Sequence, residues 1–358
     1  MSLATRMGPV KVLMIGLGGV GQRHLRNLKS LLGDRLSPMA YRVRRRFTVV
    51  TDQLTLEENR NIELEFGIRV FTDLSEALAE GPEIAFICNP TSLHLDAAIA
   101  AAKAGCHLFV EKPLSHSLRG VSTLSRVAKS KRLVIAVGYQ MRFHPVVRRI
   151  RTLLDQRAIG RIASAELEIG EYLPGWHPYE DYRQMYASRR DLGGGVVLSQ
   201  IHELDYLYWF WGVPSRVFAM GGQLGALGID VEDTASVLME YELEGRRVPV
   251  HLHMDYLQRP ACRTCKIVGD EGMIVADLRS LSVNLFDRNG ALVEANSFQG
   301  LERNQLFEDE VREFLECVGG QGAPSVGLED ARQSLRMALL IRKSMDIGRV
   351  LRFPGLRP

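Results

Sequence analysis

A glycine-rich turn between an apolar run and an amphipathic stretch constrains the fold of this chain most. The segment Val10–Gly33 reads VKVLMIGLGGVGQRHLRNLKSLLG, and its turn, Gly16–Gly21, fits the pattern GxGxxG. Leucines recur at helical spacing after the turn, and Gly33 is suited to end a helix. The segment therefore predicts a strand, a tight loop and a helix.

The same alternation continues for about 130 residues. Strand-like runs occur at 39–43, 47–51, 84–88, 108–110 and 133–137. Helical stretches occur at 54–66, 75–79, 93–104 and 118–130. Strands that alternate with helices in this way predict a parallel, doubly wound α/β sheet with helices on both faces.

The pattern changes after His144-Pro145. A helix at 146–156 precedes β-rich runs at 162–169, 217–220, 234–241, 248–256, 264–268 and 281–286, and helices at 304–318 and 328–347 end the chain. These runs are typical of an antiparallel sheet with one covered face, and so of an α+β domain. A chain of 358 residues is also long for one core. We predict two domains, residues 8–144 and 145–358.

Composition excludes several classes of protein. The net charge of +3 gives no reason to expect a nucleic acid or a membrane surface as partner. Five cysteines are too few for a secreted disulfide scaffold, and no run of about 18 apolar residues suggests a membrane span. Cys262 and Cys265 form a lone CxxC without further zinc ligands, so we interpret them as structural and predict no metal. We expect a cytoplasmic protein.

The position of the glycine turn predicts a dinucleotide site. Such a loop lets the backbone approach a pyrophosphate at the positive end of a helix, here through Gly16, Gly18, Gly19, Val20 and Gly21. An acid usually follows about 20 residues later to bind the ribose, but this chain has YRVRRR at 41–46. Guanidinium groups suit a 2′-phosphate, which favours NADP(H) over NAD(H), with Arg42 as the named contact. A solvated arginine face is the alternative.

A lysine stands where an apolar strand ends, in FVEKPLS at 109–115. Ligands of doubly wound sheets bind beyond the carboxyl ends of the strands, so Lys112 is expected to face a crevice. Desolvation there destabilises the ammonium form and favours proton exchange with a substrate hydroxyl. The turn Asn89-Pro90-Thr91 follows another strand and could border the nicotinamide ribose. A surface pair between Lys112 and Glu111 is the alternative.

Five motifs in order resemble the Gfo/Idh/MocA family of NAD(P)-dependent oxidoreductases. They are IGLGGVGQRH at 15–24, CNPTSLH at 88–94, AGCHLFVEKPLS at 104–115, GYQMRFHP at 138–145 and DLGGGVVLSQIHELD at 191–205. The resemblance implies an N-terminal Rossmann domain and a C-terminal domain built on an open, mainly antiparallel sheet. It also implies an active site between them, and a homodimer or homotetramer is expected because an open sheet face tends to be covered.

The resemblance implies roles for single residues. Lys112 and a histidine after the GGG turn, His202, would transfer the proton. Ser199 stands where relatives commonly carry an aspartate, so His202 is expected to be less basic and Lys112 to carry more of the proton transfer. The remaining cofactor-side positions within the matching motifs are Asn89, Pro90, Thr91, His94, Glu111 and Arg142.

A stretch rich in aromatic residues and arginines, Glu171–Gly195, precedes and includes the GGG turn. Aromatic faces stack on sugar rings and arginines pair with carboxylates or phosphates, so we predict a substrate wall there. The predicted substrate residues are Tyr139, Trp176, His177, Tyr182, Arg183, Ser199, His202 and Tyr256. An interface loop between protomers is the alternative reading of the stretch.

The expected activity is hydride transfer between a nicotinamide and a secondary alcohol or ketone of a sugar, amino sugar, nucleotide sugar or polyol. The stretches WHPYEDYR and SQIHELDYLYWFWG resemble a subgroup linked to surface-sugar and sialic-acid-like biosynthesis, which favours an amino sugar, a nucleotide-linked sugar or a nonulosonate precursor. Because Ser199 replaces an acid, a dinucleotide-bound sensor without turnover is an alternative. A nucleic-acid-binding protein is a third possibility, which rests only on the arginine cluster at 42–46.

Overall fold

The computed structural model describes residues 8–43 and 48–353. In chain order its strands are β1 Val10–Ile15, β2 Leu36–Tyr41, β3 Val49–Val50, β4 Leu56–Glu57, β5 Arg69–Phe71, β6 Ile84–Ile87, β7 His107–Glu111, β8 Ile135–Gly138, β9 Ile162–Gly170, β10 Arg216–Gly222, β11 Thr234–Leu243, β12 Arg246–Asp255, β13 Cys262–Gly269, β14 Gly272–Asp277, β15 Ser282–Asp287, β16 Leu292–Ser297 and β17 Leu351–Arg352. Its α-helices are α1 Gly19–Leu32, α2 Ile62–Phe66, α3 Leu74–Ala79, α4 His94–Ala104, α5 Val121–Lys131, α6 Pro145–Asp155, α7 Val196–Ser199, α8 His202–Trp211, α9 Arg303–Val318 and α10 Leu328–Ile347.

The described residues form two compact units that are not continuous in sequence. The first contains the chain up to Gln140 together with residues 177–180 and 303–332, and the second contains 141–176, 181–302 and the chain from Gln333 onward. The domain limits 8–144 and 145–358 stay a prediction. Residues 177–180 and 303–332 come later in the chain but fold with the N-terminal part.

The first unit is built on the parallel sheet that the sequence predicts. Its strand order is β5-β2-β1-β6-β7-β8, and each neighbouring pair is parallel. Every residue of Ile84–Ile87 is buried, as expected for a strand covered on both faces. The doubly wound α/β class is therefore confirmed. Because the strands are parallel, their carboxyl ends share one edge of the sheet.

Helix α9 completes the core of the first unit. It packs on α1 and β8 and buries Leu306, Phe307, Val311 and Phe314. Phe314 lies edge-on to Phe86 of β6, with ring centroids 5.8 Å apart. A helix near the end of the chain thus supplies apolar side chains to the N-terminal sheet.

The second unit is built on a nine-stranded sheet with the order β16-β15-β14-β13-β9-β12-β11-β10-β17. Only β9 and β12 pair in parallel among these strands as described, and the other pairs are antiparallel. One face is apolar: Ala235, Val237 and Met239 of β11 are buried, whereas Leu238 between them is 52% exposed. The mainly antiparallel sheet is confirmed. An oligomer that covers the outer face stays a prediction.

Local chemistry explains where predicted elements differ from the structure. The predicted helix at 54–66 is only α2, because the Asn61 side chain accepts from the Glu63 and Leu64 backbone amides and so starts the helix late. Strand β4 occupies the earlier part of that segment. Strands β5, β14, β16 and β17 are missing from the predicted runs. The predicted strand at 47–51 lies partly outside the described residues. Among the helices of the described ranges, none is both long and apolar enough to cross a bilayer.

A buried ion pair joins three elements of the second unit. The Arg142 guanidinium donates to both carboxylate oxygens of Asp205 on α8, through Nε and Nη2, each at 2.8 Å. Asp205 also accepts a hydrogen bond of 3.1 Å from Ser334 of α10, and Trp209 lies 5.6 Å from Arg142. The side chains of Arg142 and Asp205 are 4% and 1% exposed. Two parallel charge-assisted hydrogen bonds fix α8 against Arg142.

We expect Asp205→Ala to lower the free energy of unfolding by about 3–5 kcal/mol, because it leaves a buried guanidinium without its counter-charge. Urea unfolding followed by tryptophan fluorescence measures the loss. Asp155→Ala is the matched control: Asp155 pairs with Arg151 at 3.0 Å but is 57% exposed, and such pairs contribute at most about 1 kcal/mol. Equal losses in the two variants would contradict a structural role for the buried pair.

Candidate functional site

The glycine turn after β1 is closed against the end of β6. Gly16 has φ +98°, and a Cβ there would lie 2.7 Å from the Cys88 carbonyl oxygen. A Cβ at Gly21 would lie 2.3 Å from the Gly16 carbonyl oxygen. Both contacts are far below the distance that atoms tolerate, so each position requires glycine. The turn can form only with these residues.

The other side of the turn is open. A Cβ at Gly18 would have no described atom within 4 Å, and Gly18 directly precedes α1. The first helical turn contains Gly19, Val20 and Gly21 and carries no acid that would repel an anion. Free backbone N–H groups and the helix dipole favour negative charge at this point. These residues fit the pyrophosphate of a dinucleotide.

A segment of the predicted substrate wall lies against this turn. Residues 177–180 belong to the first unit, and a Cβ at Gly19 would lie 2.9 Å from the Tyr179 hydroxyl. The His177 ring stacks on Tyr179 with centroids 5.3 Å apart, and its Nδ1 lies 2.8 Å from a Glu180 carboxylate oxygen. Tyr179 is thus a neighbour of the cofactor turn that the predicted site residues omit. Nothing in the local sequence distinguishes it from the other tyrosines of the stretch.

The predicted ribose-phosphate region is described only in part. Arg42 follows β2, is 5% exposed and donates through Nη1 to Glu63 at 2.6 Å. Part of this guanidinium is therefore used within the protein. Arg44, Arg45 and Arg46 lie outside the described residues.

His94 joins the turns that follow β6 and β7. Its Nε2 lies 2.8 Å from the Asn89 carbonyl oxygen and its Nδ1 lies 2.9 Å from the Pro113 carbonyl oxygen. Burial lowers the pKa of His94, although both carbonyls oppose the shift. Pro90 and Thr91 lead from the first turn into a short 3₁₀ turn before α4. The imidazole therefore holds Asn89 and the Lys112-Pro113 turn at one edge of the sheet.

Lys112 stands directly after β7 and is partly buried. Its backbone N–H donates to the Glu111 carboxylate at 3.2 Å. Glu111 is only 7% exposed, and its other oxygen lies 2.6 Å from His24 Nε2. Glu111 is therefore a buried carboxylate bound to a histidine, and not a surface residue. Tyr139, which follows β8, is fully buried.

In the second unit, His202 begins α8 and is 6% exposed. The two acids that follow it in sequence are bound by arginines: Glu203 accepts from Arg263 at 2.7 Å, and Asp205 accepts from Arg142. Burial raises the pKa of Glu203, against the opposing charge of Arg263. Arg142, predicted on the cofactor side, is thus held in a buried ion pair of the second unit. Its contact with a cofactor stays a prediction.

Aromatic side chains lie beside Ser199 in this unit. Tyr256 is fully buried beside the Ser199 hydroxyl, and Trp176 meets it edge-on at 5.3 Å. Tyr182 donates its hydroxyl to the Leu227 carbonyl at 2.8 Å, and Arg183 lies 4.6 Å above the Tyr182 ring. Trp176, Ser199 and Tyr256 are therefore brought together, whereas the Tyr182 hydroxyl is used to fix its own loop.

A cavity of about 640 Å³ opens in the second unit between the end of β12 and the end of β14. Arginines are prominent in its lining: Arg259, Arg263 and Arg279. Arg259 stacks 4.1 Å above Tyr172, and Arg279 lies 3.7 Å from Glu171. The CxxC pair lies on β13 as free thiols, with Cys265 buried and Cys262 at the cavity. The cavity is a candidate subsite for an anionic group.

Two models of protein families together match most of the chain. The profile of an oxidoreductase family with an NAD-binding Rossmann fold matches residues 10–139. The profile of the GFO/IDH/MocA C-terminal domain matches residues 147–275. The two profiles follow each other in the order that the sequence motifs predict.

Relatives and solved structures agree with these matches. The chain is 27% identical over 355 residues to myo-inositol 2-dehydrogenase of Thermotoga maritima, covering 94% of this chain and 96% of the relative. It is 30% identical over 364 residues to scyllo-inositol 2-dehydrogenase (NAD(+)) of Bacillus subtilis, covering 95% of each. The fold matches levoglucosan dehydrogenase in complex with NADH and levoglucosan with a TM-score of 0.78 at 18% identity, over 97% of this chain and all of that one. This chain belongs to the Gfo/Idh/MocA family of oxidoreductases and is a dehydrogenase of the NAD(P)-dependent type.

Proposed function

We propose that the protein transfers a hydride between C4 of a nicotinamide and a carbon bearing a hydroxyl or keto group in a sugar or polyol. The observation that carries the proposal is the edge of the first sheet. There the open glycine turn, the Asn89 turn and the Lys112 turn follow β1, β6 and β7. In doubly wound sheets ligands bind beyond this edge.

The chain's own residues have distinct tasks in this proposal. Gly16, Gly18 and Gly21 hold the pyrophosphate, and Asn89 borders the adjoining ribose. When bound, the nicotinamide supplies the hydride donor or acceptor. Lys112 takes the proton from the substrate hydroxyl in oxidation, or returns it in reduction, as a general acid–base group.

His202 is the second proton-transfer group of the proposal. Its neighbours Glu203 and Asp205 are both bound by arginines. Ser199, which replaces the acid common in relatives, is uncharged and cannot stabilise an imidazolium. Lys112 therefore carries the larger share of proton transfer.

The substrate class follows from the relatives and from the second unit. Relatives with matches over most of the chain are named for inositols, which are cyclic polyols. The aromatic pair Trp176 and Tyr256 suits a sugar ring. The arginines of the 640 Å³ cavity favour a carboxylate or phosphate elsewhere on the substrate, as in acidic or nucleotide-linked sugars.

NADP(H) is the proposed cofactor. No acid stands directly after β2, where NAD-specific sites place one, and the chain has Arg42 there instead. Because Arg42 donates to Glu63, Arg44, Arg45 and Arg46 are the better candidates for the 2′-phosphate.

We expect NADPH to bind the wild-type protein at least as tightly as NADH. A triple variant with Arg44, Arg45 and Arg46 changed to Ala should lose about 10- to 100-fold in NADPH affinity, because each charge-assisted hydrogen bond is worth about 1.5–3 kcal/mol. Its affinity for NADH should stay within a factor of three of the wild type. Isothermal titration calorimetry measures both, with Arg312→Ala on α9 as an exposed control. Tenfold tighter wild-type binding of NADH would reject the NADP assignment.

We expect turnover to be measurable by absorbance of the reduced nicotinamide when inositols, hexoses, uronic acids and nucleotide sugars are screened. Lys112→Ala should lower kcat by about 10²- to 10⁴-fold, the range of general acid–base catalysis, with dinucleotide affinity changed by less than about tenfold. Lys103→Ala removes an exposed lysine of the same unit and should be silent.

The same screen separates an enzyme from a sensor. The uncharged Ser199 is the feature that favours a sensor. If the dinucleotide binds, no sugar or polyol gives a rate and Lys112→Ala changes only binding, the protein is a dinucleotide-bound sensor and the catalytic proposal is wrong.

A further inference from the structure

Three titratable side chains form a buried cluster in the first unit, which we call the proton cluster: His24 of α1, Glu111 of β7 and Glu310 of α9. They are 0%, 7% and 4% exposed. His24 Nε2 lies 2.6 Å from Glu111 Oε1, and one nitrogen or oxygen of each residue lies within 4.8 Å of the other two. The function proposed above gives no role to His24 or Glu310.

The surroundings of the cluster are aromatic. The His24 ring lies 4.8 Å from Phe109, edge-on, and 5.5 Å from Phe86. Phe307 of α9 lies 6.1 Å away on another side. A second carboxylate charge in such an apolar setting is strongly disfavoured, because desolvation penalises each ion and the two repel.

Glu310 is aimed into the cluster without a hydrogen bond of its own. Within the part of the chain that the structure describes, neither of its carboxyl oxygens has a hydrogen-bond partner. A bare carboxylate buried to this degree would be costly, whereas a neutral carboxylic acid is far less so and can donate a proton. The geometry thus distinguishes two acids: Glu111 with partners on both oxygens, and Glu310 with none.

The electrostatics separate the two acids in the same direction. Burial works to raise the pKa of Glu111, but the hydrogen bond and charge of His24 and the charge of Lys112 outweigh it and lower the pKa. Burial, and then the charge of Glu111, raises the pKa of Glu310 well above its ordinary value. Neighbouring groups whose pKa values move apart commonly divide the acid and base roles between them.

Glu111 connects the proton cluster to the turn that carries Lys112. Its Oε1 lies against His24, while its Oε2 accepts the backbone N–H of Lys112 at 3.2 Å. A Cβ at Gly138 would lie 3.1 Å from Glu111 Oε1, so β8 also closes on this carboxylate. Any change that moves the Glu111 carboxylate therefore moves the backbone that carries Lys112.

We propose that Glu310 is a neutral acid at physiological pH and, with His24, acts as a positioning residue that holds the Glu111 carboxylate and through it the Lys112 turn. Loss of the Glu310 proton at alkaline pH brings a second negative charge beside Glu111 and displaces that carboxylate. The link to catalysis rests on the function proposed for Lys112, whereas the neutral state of Glu310 does not depend on that function.

Other charged groups face the cluster from the elements packed around it. They are Arg23 on α1, Cys88 after β6, His94 on α4, Lys112 after β7 and Glu313 on α9, and Arg303 on α9 acts on Arg23. Burial, followed by the charge of Glu111, raises the pKa of Cys88, so this thiol stays neutral. The Arg23 guanidinium lies 4.7 Å above the Phe307 ring, and burial, followed by the charge of Arg303, lowers its pKa.

A divalent cation is the competing occupant of the cluster. The 2.6 Å separation of His24 Nε2 and Glu111 Oε1 is that of a direct hydrogen bond. A metal-bound histidine also almost always donates its other nitrogen to an acceptor, whereas His24 Nδ1 has no hydrogen-bond partner among residues 8–43 and 48–353. Both observations favour a shared proton.

The protonation state is tested on the full-length protein without substrate or cofactor. At neutral pH the infrared difference between wild type and Glu310→Gln should contain the carbonyl band of a neutral carboxylic acid. The unfolding equilibrium should also be proton-linked. Glu310 stays protonated in the fold but ionises in the unfolded chain above pH 4.5, so its contribution to stability is greatest below pH 4.5 and is lost as pH rises towards the folded pKa. In that window the unfolding constant should rise up to tenfold per pH unit relative to Glu310→Gln.

Glu316→Gln is the matched control, since Glu316 is an exposed glutamate on the same helix. It should lack the infrared band difference and keep the wild-type pH slope. If Glu310→Gln fails to fold, carbon NMR of glutamate-labelled wild type gives the same information from the carboxyl shift of Glu310. An ionised Glu310 at neutral pH overturns the proposal. So does a rise in wild-type Tm with Zn²⁺ or Mn²⁺ that Glu310→Gln lacks, because the cluster would then bind a cation.

The positioning role has a separate readout. Amine labelling of Lys112, followed by peptide mass spectrometry with Lys103 as internal reference, should show an alkaline break in the wild type that Glu310→Gln lacks. Identical pH profiles at Lys112 in the two proteins would overturn the positioning role. Failure of the sugar screen would reject the proposed function but leave the infrared, unfolding and labelling results unchanged.

Discussion

The close approach of the Gly16 turn to the end of β6 is the constraint on which the first unit depends. Two parallel strands can end side by side there only because no side chain separates Gly16 from Cys88. This contact sets where α1 begins and how it is rotated. Five residues into the helix, that rotation directs His24 inward onto Glu111. The glycine turn and the contact of His24 with Glu111 are thus two results of one backbone contact.

The second unit uses a different device to position its histidine. Helix α8 carries two acids in its first turn, and both are neutralised by arginines from outside the helix: Glu203 by Arg263 and Asp205 by Arg142. The pair of Arg142 and Asp205 is bidentate, and it fixes the rotation of the helix more strictly than apolar packing does, because both hydrogen bonds require one orientation. His202 stands at the start of the helix that these pairs hold in place.

Much of this organisation is predictable from sequence, because it follows from local patterns. The period of the apolar residues identifies the parallel strands, and the spacing of the glycines identifies the turn. The contacts of Glu310 are not predictable in this way. Glu310 is about 200 residues from Glu111 in the chain, and its neighbours on α9 look like an ordinary amphipathic helix. The same holds for Tyr179, whose place beside Gly19 depends on how a long loop returns to the first unit.

The two carbonyls that flank His94 have a consequence for the edge of the sheet. A neutral imidazole carries a single N–H, and burial keeps this ring neutral at physiological pH. Either the Asn89 or the Pro113 carbonyl therefore receives a hydrogen bond, while the other faces a lone pair. Exchange between the two neutral tautomers would move the hydrogen bond from one carbonyl to the other, and protonation of His94 in acid would allow both hydrogen bonds at once. At physiological pH, therefore, His94 can donate a hydrogen bond to only one of the two loops at this edge of the sheet.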